Sequence, residues 1–372
     1  MKTNMSLVLT MALILSGCGS SNPDLQPIQQ KPASKLMTGQ TAKLTNPKVN
    51  VLFVVDNSGS MKGYQEKLVK NMEVFSKEFF KSVRIDYKIG VVPVYDSKYL
   101  NDKTVYKSGL RKMNPLGELV KLKGLAVGED PNQIFITRDT INAKQVLEAT
   151  VALGTQWGPE AEESFSPVLA MMDPKINAEK NQNFYDPEAY LAIIFLTDAD
   201  DVTLGLSGED FYRQLVALKG GDRSKILIAA ALPNIKNHSV GCTTDGAGPV
   251  QSFPALLARS GGILADLCSA NFGQQLASFA KLLVKQVGTQ KITIDHAVDI
   301  DSMEVSYGNP DSNEAEHIKI QRGLNGYLFN PKTLEITISS ELNLERQENA
   351  VIFVKATEAN LGNLEDGRTV KH

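Results

Sequence analysis

Between residues 48 and 286 the chain alternates continuous apolar runs with stripes of helical period, and this alternation limits its fold more than any other feature. Residues 49–55 form an almost unbroken β-branched and apolar run, as a strand buried on both faces should. Met61, Tyr64, Leu68, Met72, Phe75 and Phe79 follow at spacings of three and four, which predicts a helix with one apolar stripe. Ile85, Tyr87, Ile89 and Val91 alternate with other residues and read as a strand. Residues 96–140 hold several Gly and Pro and suggest an edge hairpin or an insertion, with 133–136 as one strand; 141–153 read as helix. Residues 190–197 and 225–232 are two more buried strands. Between them Ser207 precedes a helical pattern that Gly220 and Gly221 stop. A helix over 251–260 and a short strand over 262–266 come next. An amphipathic helix over 270–286 follows, with Phe272, Leu276, Phe279 and Leu283 on one side. This order implies an α/β fold: an open, doubly wound, mostly parallel sheet covered by helices on both faces.

From about residue 289 the helical period stops. Short alternating strands are predicted at 292–294, 303–307, 327–329, 334–338 and 351–354, so 288–372 reads as a small all-β unit. The 372 residues have room for two such domains, and 42% hydrophobic with 22% charged residues is an ordinary globular composition. The net charge of −3 offers no basic excess to hold a polyphosphate backbone, which argues against a nucleic-acid partner.

The N-terminus has its own signature. One lysine precedes an apolar stretch over 5–15, as in a secretory signal, and the stretch is too short to span a bilayer. It ends in Leu15-Ser16-Gly17-Cys18, which resembles the bacterial lipobox. The resemblance implies that residues 1–17 are removed and Cys18 is lipidated, each buried CH₂ of its acyl chains contributing about 0.8 kcal/mol to membrane attachment. Gly19, in place of an inner-membrane retention Asp, favours the outer membrane. The alternative is an ordinary signal peptide with an incidental cysteine. Residues 18–47 then read as the lipidated end of a flexible tether with a span of roughly 30 Å. With Cys18 lipidated, Cys242 and Cys268 remain, either as one disulfide or as two separate buried thiols.

The chemistry is concentrated where strands end. Asp56-Asn57-Ser58-Gly59-Ser60 lies between the first buried strand and the first helix. Asp198 ends the strand 190–197, and Gly154-Thr155-Gln156-Trp157-Gly158 forms a loop between helical segments. In an open α/β sheet such positions share the carboxyl crest, where ligands bind. These residues resemble the von Willebrand factor type A domain with its metal-ion-dependent adhesion site, over roughly 48–287. The family motif is D-x-S-x-S, then a Thr, then an Asp after a central strand; Asp56, Ser58, Ser60, Thr155 and Asp198 match it.

The resemblance implies a Rossmann-like sheet and a divalent cation: Mg²⁺ first, with Mn²⁺ or Ca²⁺ as alternatives. Hard hydroxyl and carboxylate oxygens suit all three. Ser58 and Ser60 would bind directly, Thr155 directly or through water, and Asp56 and Asp198 mostly through water. An open position would accept the carboxylate of a protein partner. A sliding last helix, 270–286 here, is a further implication.

Bland readings accompany each residue. Ser58 or Ser60 could simply cap the helix, and Asp198 could be a turn or cap residue. Trp157, the only Trp, could contact a ligand or pack against the sheet. Glu160 could add outer charge or answer a helix dipole. The family's Gly after the second Asp is replaced by Ala199, and Asp200 with Asp201 could form a solvated turn or hold a second cation. His238, His296, His317 and His372 form no catalytic motif, so a binding protein, not an enzyme, is expected. A structural or assembly scaffold of the envelope, with a fold-supporting metal, is the other class.

Overall fold

The computed structural model describes residues 34–36, 41–43, 46–81, 85–97, 115–155, 158–159, 161–233, 251–269, 271–342, 344 and 349–357. Two short strands, β1 (Ser34–Leu36) and β2 (Thr41–Lys43), precede β3 (Lys48–Val55), α1 (Lys62–Phe79) and β4 (Asp86–Pro93). Then come β5 (Phe135–Ile136), α2 (Ala143–Val151), α3 (Phe165–Met171), α4 (Pro174–Glu179) and β6 (Tyr190–Leu196). The α/β part ends with α5 (Gly208–Leu218), β7 (Ile226–Leu232), α6 (Ser252–Ser260), β8 (Ile263–Asp266) and α7 (Phe272–Gly288).

Six strands make one sheet in the order β5-β4-β3-β6-β7-β8, parallel throughout except for β5, which runs antiparallel on the edge. Its two faces explain the unbroken apolar runs. Val51, Phe53 and Val55 of β3 face one core with α1, α2 and α7, while Leu52 and Val54 face another with α3, α5 and α6. A strand with cores on both sides has no polar face to show. The predicted stripe Met61, Tyr64, Leu68, Met72, Phe75 and Phe79 is buried in full, and Phe75 meets Phe53 edge-on at 5.4 Å. The ambiguous 96–140 stretch contributes only the two-residue β5 among the described residues.

Lys219, just past α5, shows how one end of the sheet is sealed. Its buried Nζ donates to the carbonyls of Ala189 (2.8 Å), Asp186 (2.9 Å) and Pro187 (3.3 Å), and lies over the Tyr185 ring at 4.4 Å. Burial lowers its pKa to about 8. Lys219→Met would leave three carbonyls without this donor and should lower stability by roughly 2–4 kcal/mol, read by urea denaturation.

The second unit is a pair of small sheets. It uses β9 (Gln290–Ile294), β10 (Glu304–Gly308), β11 (Ile318–Ile320), β12 (Tyr327–Asn330), β13 (Glu335–Ile338) and β14 (Val351–Lys355). The orders are β1-β9-β13-β12 and β11-β10-β14-β2, closing over Ile292, Ile294, Val305, Ile336, Ile338, Ile352 and Val354. Within the stretch read as a tether, residues 34–36 and 41–43 are instead strands of this unit, while 18–33 lie outside the described residues. β1 pairs in parallel with β9, and β2 pairs antiparallel with β14, placing Ala42 in the β core. Three-residue strands are too short to show alternation, and their partners lie hundreds of residues away. The α/β part is therefore inserted between β2 and β9.

Both of its connections leave from one end. β3 begins at Lys48 just after β2, and α7 ends at Gly288 just before β9. Helices of a parallel sheet end where its strands begin, so the carboxyl crest lies at the opposite pole. Among the described residues no helix is long and apolar enough to cross a membrane.

Candidate functional site

At the crest, β3 ends in Val55 and the chain turns through residues 56–60 into α1. Asp56 is fully buried, and its carboxylate is fixed on both oxygens. Ser58 N–H donates to Oδ1 at 2.8 Å, and the Thr197 hydroxyl to Oδ2 at 2.7 Å. Burial pushes the Asp56 pKa up, against these bonds and one from the Asp198 backbone. Thr197 is a site residue that sequence reading missed; its position before Asp198 at the end of a strand was the available signal.

Ser58 and Ser60 do not cap α1: the helix N-cap is Met61, without a side-chain cap bond. Instead the two hydroxyls meet at 2.9 Å, and Ser60 Oγ donates to Asp198 Oδ1 at 3.0 Å. Asp198 is thus tied to the first loop across 138 residues of sequence, and it is 2% exposed. The bland readings of the three residues as cap and turn are replaced by one cross-linked cluster.

The 154–158 loop is joined to this cluster by Gln65 of α1. Its Nε2 donates to the carbonyls of Asp56 (3.1 Å) and Gly154 (3.2 Å), and Gly154 N–H donates back to Oε1 at 2.9 Å. On the far side of the loop, a β-carbon on Gly158 would stand 1.9 Å from the Asn57 carbonyl oxygen. Gly158 therefore lies directly on the motif backbone. Thr155, half-buried, sits beside Gly154 and stays outside the hydrogen-bonded run joining Ser58, Ser60 and Asp198. Trp157, Glu160, Cys18 and Cys242 lie outside the described residues, and with Cys242 so does the expected pairing to Cys268.

Glu162 is the second residue that sequence reading missed. Burial, together with the negative charges of Asp56 and Asp198, raises the pKa of its carboxyl to about 8. The signal was the acidic run after Gly158, in which only Glu160 drew notice.

Asp200 and Asp201, read as a solvated turn or a second cation site, are instead engaged with backbone N–H groups at two helix starts. Asp200 accepts from Gln251 N–H (2.8 Å) and Ser252 N–H (3.0 Å) at the start of α6. Asp201 is buried and accepts from Ser164 N–H (2.7 Å) and Phe165 N–H (2.9 Å) at the start of α3, while burial raises its pKa to about 6. Each supplies a distant helix with the acceptor its orphan N–H groups need.

The arrangement suits a hard cation on its own chemistry. Two hydroxyls and the carboxylates of Asp56 and Asp198 are brought together by hydrogen bonds. Hard hydroxyl and carboxylate oxygens of this kind suit a dication. The donors are mixed: among the described residues no three His, Cys, Asp or Glu side chains form a ready-made cage. Asp56, with both oxygens already engaged, stands behind the serines and not among direct donors.

No family model matches this sequence, and no curated protein matches it closely enough to count as a relative. Among solved structures, the pilus adhesin SpaC from Lactobacillus rhamnosus GG is similar at 13% identity and a TM-score of 0.32, over 87% of this chain and 40% of that one. This chain thus spans well under half the adhesin's length. The manganese-loaded TRAP protein of Plasmodium vivax is similar at 11% identity and a TM-score of 0.36, over 86% and 98%. Proximal thread matrix protein 1 from the mussel byssus is similar at 11% and 0.33, over 68% and 51%. Likeness of this degree carries no functional weight. The mixed α/β architecture, with its six-stranded, mostly parallel sheet, is compatible with a von Willebrand factor type A-like fold.

Proposed function

We propose that this chain is a lipid-anchored envelope protein of the von Willebrand factor type A kind, which binds a protein ligand through a divalent cation at the crest. One observation carries the reading: Ser58, Ser60 and Asp198, from two distant stretches, are hydrogen-bonded into a single run above a buried Asp56. Ser58 and Ser60 would hold Mg²⁺, or Mn²⁺ or Ca²⁺ in its place. Asp56 and Asp198 orient the serines and balance the charge, and Thr155 stands beside them. The cation supplies a Lewis-acidic point for a carboxylate of the partner.

Three features support this reading. The site is reached from outside, since Ser60 is only partly buried. The loop leaving Asp198 carries Val202 and Leu204, 46% and 93% exposed, and Val202 N–H donates to the Glu162 carbonyl at 3.2 Å; this places apolar surface next to the acids for a protein to cover. The crest also lies at the pole opposite the connections to β2 and β9. A chain anchored through Cys18 would then present the site away from the outer membrane. The function is binding, with no catalytic residue assigned.

The test is crosslinking capture from envelopes with the full chain, in Mg²⁺ and in EDTA. Capture should require Mg²⁺ and fall at least tenfold in Asp56→Ala. Undiminished capture by Asp56→Ala would sink the reading. Capture that survives EDTA while the melting temperature drops would instead favour a scaffold whose metal serves the fold.

A further inference from the structure

The Gln65 side-chain amide has three partners, all of them backbone. Nε2 donates to the carbonyls of Asp56 at 3.1 Å and Gly154 at 3.2 Å, and Oε1 accepts from Gly154 N–H at 2.9 Å. The amide thus grips both backbone polar groups of Gly154 and ties them to the carbonyl of the motif's first residue. Both of its donor hydrogens are engaged. Neither support of this bridge is soft. Asp56 N–H is bonded to the Leu196 carbonyl of β6 at 2.9 Å, and Gln65 N–H to the Met61 carbonyl at 2.9 Å in the first turn of α1. Tyr64 and Leu68 beside it are buried, and Gln65 itself is 7% exposed, so water competes little for its amide. Gly154, at φ +86° with nothing within 4 Å of where a β-carbon would stand, has no side chain to hold it in place.

We propose that Gln65 is the positioning residue of the site: its amide sets where Thr155 stands relative to Ser58 and Ser60, and through Thr155 it sets the affinity for the cation. This rests on the cation-binding reading above and deepens it by naming the residue that holds the second loop in register with the first. The reason lies in covalent geometry. The Gly154 carbonyl and the Thr155 N–H belong to one planar peptide, so fixing that carbonyl fixes the start of Thr155 as well. Ser58 and Ser60 share one short loop with Asp56. Thr155 reaches them from a distant stretch, and there Gln65 supplies two bonds across 89 residues of sequence. An aliphatic side chain of similar length would fill the same space but leave two carbonyls and an N–H without this partner. The peptide could then turn, and a donor held loosely binds a cation more weakly than one held in place.

The experiment uses Mn²⁺ as the probe, with the full chain purified in detergent. Affinity is measured by titration for wild type, Q65M, T155V, the Q65M/T155V double variant and D56A, with thermal melts in EDTA to confirm that each is folded. Q65M should weaken Mn²⁺ binding about tenfold, and T155V by a similar factor. The double variant should bind no more weakly than T155V, because removing the hydroxyl leaves Gln65 nothing to act through. Hydrogen exchange in EDTA gives a readout without metal: Gly154 N–H should exchange about tenfold faster in Q65M than in wild type, with the amides of β3 unchanged. Q65M that binds Mn²⁺ like wild type would overturn the proposal while leaving the metal site standing. So would losses that multiply in the double variant, since Gln65 would then support the motif independently of Thr155. T155V that binds like wild type would overturn it too, whether or not Q65M folds. Wild type that binds Mn²⁺ no better than D56A would overturn both the proposal and the cation-binding reading.

Discussion

Gly158→Ala is expected to disable the site and weaken the fold together. A β-carbon there would lie 1.9 Å from the Asn57 oxygen, 2.1 Å from its carbonyl carbon and 2.3 Å from Ser58 N, all backbone atoms that no side-chain rotation can clear. Either Gly158 is pushed away or residues 57–58 move, and movement of 57–58 displaces Ser58 from Ser60. Overpacking of this kind costs about 1–3 kcal/mol, and Mn²⁺ affinity should fall by more than tenfold. Gly154→Ala is the control. Gly154 has φ +86° with nothing within 4 Å, so alanine there meets backbone strain of about 1–2 kcal/mol but no clash. Metal titration and urea denaturation of both variants decide the matter. A Gly158→Ala protein that binds Mn²⁺ like wild type would mean the loop does not support the motif.

The second large effect is a stability that depends on pH in opposite ways with and without metal. Glu162 has a folded pKa of about 8 against an ordinary 4.5, Asp201 about 6 against 3.8, and Asp56 is raised as well. For a raised acid the folded state keeps a proton that the unfolded chain has already lost. The metal-free protein should therefore be most stable near pH 4.5 and lose stability steadily up to about pH 8, where the loss levels off. A bound dication takes the place of the protons on the crest acids, Asp56 and its neighbour Glu162, so stabilisation by Mg²⁺ should be small at pH 5 and large at pH 8. At a hundredfold excess over its Kd the gain is about 2.7 kcal/mol. Melting curves at both pH values, in Mg²⁺ and in EDTA, check this; a metal-free protein that grows more stable from pH 5 to 8 would refute it.

Much of the fold was legible before any coordinates. The runs at 49–55 and 190–197 could only be strands buried on both faces, and Met61 to Phe79 could only be a one-sided helix, because period and burial are local properties of sequence. The motif was legible for the same reason, since Asp56, Ser58 and Ser60 lie within five residues.

What stayed hidden was long-range. β1 and β2 are too short to carry a period and exist only through β9 and β14. Asp200 and Asp201 look like any acidic turn until α6 and α3 bring their N–H groups to them. Glu162 is one acid in a run of acids until the end of β4 and the loop after β6 pin its backbone, and its carboxyl feels the charges of Asp56 and Asp198. The sequence by itself determined which segments are strands and helices and which residue types gather at the strand ends, because those follow from periodicity and local chemistry. Only the tertiary structure decided which acids face the serines and which cap helices, because that choice depends on hydrogen-bond partners tens of residues or more away.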